Sequence, residues 1–244
     1  IVFSISGALP FIISGEIPNV FNALFETISG YTTTGATILS DVESLSKCLL
    51  FWRSFTHWIG GMGVLVFMLS ILPLAGGNNM HILRAESPGP SVGKLVPRLR
   101  STATILYAIY AALTFIEFVL LLLGGMSLFD AVTTAFATAG TGGFGIKNSS
   151  MAEYSMYIQN VVAIFMVLFG VNFAIYFLFL IKKPKEALKS EELRTYLGII
   201  FISTIVIGFN IKDSFSSIWV ALQQAFFQVG SIITTTGFST VDFN

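Results

Sequence analysis

Three stretches of the chain close on the same short run of threonine and glycine. Written without gaps they are FNALFETISGYTTTGAT from Phe21, FDAVTTAFATAGTGGFG from Phe129 and QQAFFQVGSIITTTGFS from Gln223. Gly35, Gly143 and Gly237 fall in one column, as do Ala23, Ala131 and Ala225, and the glycines are 108 and 94 residues apart. Threonine supports an extended backbone with a small hydroxyl, and glycine takes dihedrals that a β-carbon forbids. Such a backbone can turn a series of carbonyl oxygens toward one point, where they replace the hydration shell of a cation. Thr33, Thr34 and Gly35, Thr141, Gly142 and Gly143, and Thr235, Thr236 and Gly237 are therefore the candidate ion-binding residues, acting through their carbonyls as a selectivity filter. A lone TTTG could equally be a turn or a helix-packing patch. Three copies in register, each after a helix-like segment, argue against that.

Other chemistry finds little support. The single cysteine, Cys48, excludes an internal disulfide, and His57 and His81 stand too far apart in the sequence to suggest a zinc site. His57 stands in one repeat and Glu117 and Asp130 in another, at no catalytic spacing, so an enzyme is not expected. Glu26, in the first filter segment, is read as fixing its loop from behind, and Ser127 with Asp130 as a helix-start cap. Arg53 is read as an interfacial anchor with Trp52 and Trp58, and Gly60, Gly61 and Gly63 as permitting close packing against a pore loop. His57 reads as an interfacial or packed histidine. For Glu117, midway along an apolar run, a buried structural hydrogen bond is favoured over an ion or proton relay. Asn172 either bonds a neighbouring helix or narrows the pore.

The elements that must hold these loops are membrane helices. Of 244 residues, 54% are hydrophobic and 11% charged, with a mean hydropathy of +0.81, less than half the charge a water-facing domain carries. Lys+Arg and Asp+Glu balance at 13 each, which leaves no electrostatic case for nucleic acid. Spans of about 20 apolar residues are predicted within Ser54 to Met80, Ser101 to Gly125, Tyr154 to Ile181 and Thr195 to Ile211, with Ile1 to Ile13 as the end of a further helix. The intervening segments 76–100 and 182–194 hold nine basic residues against three (Lys47, Lys147, Lys212) on the opposite side, which places both in the cytoplasm. Pro18 to Tyr31, Ser127 to Ala139 and Ser216 to Ile233 then have both ends outside, and they read as re-entrant helices followed by extended loops.

The resulting fold class is an all-α polytopic membrane protein of helix, re-entrant pore loop and helix units. Residues 1–75 form a first repeat with pore loop 18–37, 101–181 a second with pore loop 127–145, and 195–244 a third with pore loop 216–239 that stops after its filter.

SGYTTTGAT (Ser29 to Thr37), FWRSFTHWIGGMGVLVF (Phe51 to Phe67), RAESPGP (Arg84 to Pro90), TGGFG (Thr141 to Gly145) and TTTGFST (Thr234 to Thr240) together resemble the Trk/Ktr/HKT superfamily of potassium transporters, in its bacterial TrkH/KtrB branch. That resemblance implies K⁺ uptake across the cytoplasmic (inner) membrane through four pseudo-fourfold repeats around one pore, with K⁺ held at the nine filter residues and no cofactor. It further implies a homodimer and a cytosolic nucleotide-binding regulatory subunit of the TrkA/KtrA kind, for which segment 84–100 offers a docking surface. Three filters are visible and a fourth is expected beyond this chain, which reads as a fragment. A Na⁺-permeable or cation-coupled symporter of the same superfamily is the alternative; a membrane-embedded enzyme or scaffold ranks below both.

Overall fold

The computed structural model describes residues 2–71 and 99–241, with side chains described for 2–63 and 104–241. Among them the regular structure is entirely helical. α1 (Val2–Ile13), α2 (Val20–Tyr31) and α3 (Lys47–Ile71) pack together, followed by α4 (Leu99–Leu123), α5 (Leu128–Ala139), α6 (Met156–Phe169) and α7 (Phe173–Leu180). A short α8 (Pro184–Leu188) precedes α9 (Glu191–Asn210), a 3₁₀ turn (Lys212–Ser214) and α10 (Ile218–Ile233).

Helices α3 and α4 have 25 residues each and α9 has 20. At 1.5 Å per residue these reach about 37 Å and about 30 Å, enough to cross a hydrocarbon core of about 30 Å. On length and composition, Thr104–Leu123 and Glu191–Asn210 qualify as spans among the described residues, and α6 with α7 makes a third if taken together. Large apolar side chains such as Phe115, Phe201, Ile202, Val206 and Phe209 are exposed on the spanning helices, as a lipid-facing surface requires. The expected segment 76–100 lies outside the described residues except for its last two positions, which open α4. Helix α9 begins at Glu191, inside the segment expected as a loop, because the Ser190 hydroxyl accepts the Leu193 N–H and caps the helix there.

The short helices α2, α5 and α10 all start on a polar cap. Asn19 accepts the N–H groups of Phe21 and Asn22, Ser127 that of Asp130, and Ser217 that of Val220. Asp130 does not close a reciprocal box; its carboxylate accepts the Tyr154 hydroxyl at 3.4 Å. α5 is the innermost element. Its small residues Ala131, Thr133, Ala135, Ala137 and Thr138 have no exposed surface, and α3, α4 and α6 close around it.

One predicted span is not a continuous helix. Between Tyr154 and Ile181 the chain breaks after Phe169, and α7 leaves α6 at 88°. Gly170 caps α6, and Asn172 starts α7 by accepting the Ala174 N–H at 3.0 Å. The carbonyls freed at the break find donors in the hydroxyls of Tyr196, on Val167 at 3.1 Å, and Tyr176, on Leu168 at 2.6 Å. Irregular backbone at membrane depth survives only with such partners. The Asn172 amide also donates to Glu192 on α9 at 3.2 Å, the interhelical bond that was one of its two readings.

Candidate functional site

Each of α2, α5 and α10 ends in the same six-residue closure. The Thr34 N–H donates to Ser29 O and the Thr33 N–H to Gly30 O. Gly142 and Thr141 repeat this on Ala137 and Thr138, and Thr236 and Thr235 on Ser231 and Ile232. These are Schellman closures, with the left-handed position filled by threonine where glycine is usual. Thr33, Thr141 and Thr235 have φ of 53°, 51° and 59°. A β-branched residue at positive φ is strained, and such strain gathers at functional sites. Two residues later Gly35, Gly143 and Gly237 have φ of 75°, 70° and 83°. The three helices point their carbonyl ends at these loops, which adds partial negative charge there.

The loops meet in sequence order. A β-carbon on Gly35 would overlap the carbonyl oxygen of Gly142, and one on Gly143 that of Thr236. The first candidate loop is thus seated on the second, and the second on the third, through the glycine of one and the preceding carbonyl of the next. A β-carbon on Gly237 would meet no atom of the described residues within 4 Å. The outer ends interlock in the same order. Asn148 accepts the Val42 N–H at 2.8 Å and donates to Asp41 at 2.7 Å, and Met151 N–H donates to Ser239 O at 2.9 Å. Beside this clasp, hydrogen bonds from Lys147 and Ser149 hold the exposed Glu153 carboxyl below the usual carboxylate range.

The first and third loops carry their own hydroxyl braces. Thr32 and Thr34 share a hydrogen bond at 2.8 Å, as do Thr234 and Thr236, while Ser29 and Ser231 each donate to a loop carbonyl, on Ala36 and Phe238, at 2.6 Å. Thr240 donates to Gln224, whose amide continues to Gln159 at 3.1 Å. In the second loop the corresponding positions are Ala137, Gly140 and Gly142, which have no hydroxyl. That loop is held from outside by α3.

Helix α3 turns Arg53, Thr56, His57, Gly60 and Gly61 to the loops, a spacing that keeps one helical face. Arg53 is 2% exposed and does not anchor at the interface as its sequence context suggests. Its Nε donates to Glu26 at 2.8 Å and its Nη1 to Gly145 O at 3.3 Å, and its guanidinium lies 4.1 Å from the Phe144 ring centre. The interfacial reading failed because Glu26 supplies a buried counter-charge from another element. Glu26 does stand behind the first loop, accepting Thr37 Oγ1 at 2.8 Å and the Ile38 N–H at 3.2 Å. His57 is fully buried, stacks on Phe144 at 4.0 Å and accepts the Phe144 N–H on Nδ1 at 3.4 Å.

Gly60 and Gly61 allow the approach of α3. A β-carbon on Gly60 would overlap the Tyr31 carbonyl, and one on Gly61 would lie 2.8 Å from Gly140 Cα. Gly63, grouped with them from sequence, meets among the described residues only its own helix neighbour Ile59. Glu117 is completely buried with its carboxylate beside Thr138, and among the described residues neither carboxylate oxygen has a partner in good hydrogen-bond geometry. The Thr138 hydroxyl donates instead to Thr134 O at 2.8 Å. Among the described residues no cluster of His, Cys, Asp and Glu could hold a metal ion.

Comparison with known proteins gives one consistent result. A family model described as TrkH, a cation transport protein, matches residues 1–244. The "Trk system potassium uptake protein TrkH" of Escherichia coli K12 is 41% identical over 243 residues, covering 96% of this chain and 50% of that protein. The protein of the same name from Vibrio parahaemolyticus is 38% identical, covering 99% and 52%. The crystal structure of the potassium transporter TrkH from Vibrio parahaemolyticus superposes with a TM-score of 0.83 at 34% identity, over 98% of this chain and 50% of that one. The chain spans about half the length of the curated relatives it matches.

Proposed function

The chain belongs to the TrkH family of cation transport proteins, and from that premise we propose that it forms three walls of a potassium-conducting pore in the cytoplasmic membrane. The observation that carries this is the seating of the loops: Gly35 against the Gly142 carbonyl and Gly143 against the Thr236 carbonyl, with the same left-handed pair in all three. Backbones alike in dihedrals and joined in sequence order present equivalent carbonyls around one axis. Coordination by carbonyls, with no fixed carboxylate in the three columns, suits a monovalent ion that must enter dehydrated and leave again. A fourth loop, carried by polypeptide outside these 244 residues, fills the side of Gly237. K⁺ is the transported ion and no cofactor takes part.

The complete protein works as a homodimer with a cytosolic nucleotide-binding regulatory subunit, which docks on the basic segment 84–100. The relatives named for potassium uptake support the substrate. The test is expression of the complete protein in a host lacking its own K⁺ uptake. Growth at limiting K⁺, with Rb⁺ and K⁺ flux exceeding Na⁺ flux, is expected. Na⁺ flux equal to K⁺ flux would favour a Na⁺-permeable or coupled symporter, and no cation flux would remove the transport reading altogether.

A further inference from the structure

The second loop has the backbone of the other two without their internal hydroxyls, and α3 supplies the difference. A β-carbon at Gly142 would lie within van der Waals overlap of the His57 ring, and one at Gly140 would overlap the His57 carbonyl. The imidazole therefore occupies the space that threonine side chains fill in loops one and three. Phe144, which follows Gly143, carries the imidazole at 4.0 Å and the Arg53 guanidinium at 4.1 Å on its ring.

The two ring nitrogens of His57 are not equally used. Nδ1 accepts the Phe144 N–H, which puts the ring hydrogen on Nε2. Nε2 is buried and has no hydrogen-bond partner among the described residues. A buried donor left unmade is destabilising. Phenylalanine would keep the stack on Phe144 and remove that orphan donor, so packing alone would favour phenylalanine at this position. What phenylalanine cannot do is accept the Phe144 N–H.

We propose that His57 is a positioning residue that determines ion specificity, holding the second filter loop in register through the bond from the Phe144 N–H to Nδ1. The inference rests on the potassium reading of the site. A loop free to rotate its peptide at Phe144 shifts the carbonyls of Gly142 and Gly143, and with them the seat of Gly35. Discrimination between ions of different radius falls before throughput does.

The test uses the complete protein in liposomes, measuring K⁺ and Na⁺ flux against concentration for wild type, His57→Phe and His57→Asn. Asparagine places an amide oxygen near the position of Nδ1 and restores the acceptor. For His57→Phe the apparent KM for K⁺ is expected to rise roughly fivefold, the factor one neutral hydrogen bond sets, with a similar loss of K⁺ over Na⁺ preference and maximal flux within twofold. His57→Asn is expected to regain most of both. Should the phenylalanine variant fail to assemble, His57→Gln replaces it, because its amide reaches toward Nε2 and should lose the preference that asparagine keeps. Unchanged KM and preference in the phenylalanine variant, or equal losses in all variants, would overturn the proposal. A wild-type protein that carries no K⁺ would instead bring down the functional reading beneath it.

Discussion

Gly35 is the residue on which two loops depend, because its missing β-carbon is where the Gly142 carbonyl lies, and its φ of 75° is one that other residues reach only with strain. Gly35→Ser is expected to displace both loops and relax the preference for K⁺ over Na⁺; flux of both ions in the complete protein is the check, and an unchanged ratio would count against the site. Arg53 and Glu26 make a different kind of test, since each is buried and each is the other's counter-charge. Arg53→Ala leaves a buried carboxylate unpaired and should cost about 3–5 kcal/mol. Adding Glu26→Gln should return part of that loss, read as the coupling in a thermal-stability cycle. If the double variant is as unstable as the sum of the two singles, the ion pair is not the tie between α2 and α3.

Among the elements, the bend between α6 and α7 is held from outside by Tyr196 and Glu192 of α9, and from within by Tyr176 and Asn172. Gly170 has no room for a side chain: a β-carbon would overlap the Tyr196 hydroxyl and come 2.7 Å from Thr234 Cγ2, at the end of α10. The bend and the third loop are therefore in contact. Gly170→Ala should push Tyr196 off the Val167 carbonyl and disturb Thr234, lowering thermal stability by more than Tyr196→Phe does. The latter loses one hydrogen bond, about 1 kcal/mol. Melting curves of the purified protein with and without K⁺ compare the two, and a Gly170→Ala variant as stable as wild type would show that the break tolerates a straight helix.

For the whole molecule, orientation and closure are the open quantities. The nine-to-three basic asymmetry predicts segments 76–100 and 182–194 inside the cell and the turns near Lys47, Lys147 and Lys212 outside. In a Cys48→Ser background, needed because Cys48 is exposed, a cysteine at Lys147 should react with an impermeant reagent from outside and one at Lys185 should not. The reverse pattern would invert the pore. Closure can be read from Gly237, whose β-carbon would be unopposed among the described residues. In the 244-residue chain Gly237→Ala should be far milder than Gly35→Ala. In the complete protein the two should be equally damaging, because a fourth loop would stand where none stands here. Equal stability loss in the short chain, by thermal melting, would contradict the open side.

The sequence alone determined the features that are periodic or local. The shared column of Gly35, Gly143 and Gly237 was legible because the same left-handed backbone position demands the same residue type each time. The starts of α2, α5 and α10 were legible to within two residues because polar caps sit beside apolar runs. The glycines Gly60 and Gly61 could be read as close-packing positions against a pore loop, although that Gly60 meets the end of the first pore helix and Gly61 the second loop could not. The tertiary structure decided whatever depends on a partner distant in the chain. Arg53 looks like an interfacial arginine until Glu26, 27 residues earlier, is brought beside it. His57 has no visible purpose until α3 lies against a loop 87 residues later that lacks its own hydroxyls. The break at Gly170 is hidden because the segment carries no charge and Asn172 alone interrupts its apolar flanks, and Tyr196 and Glu192 on another helix help make it tolerable. Composition and local pattern record what each residue prefers for itself. Burial of a charge or of bare backbone in a membrane becomes affordable only through groups that the fold supplies from elsewhere.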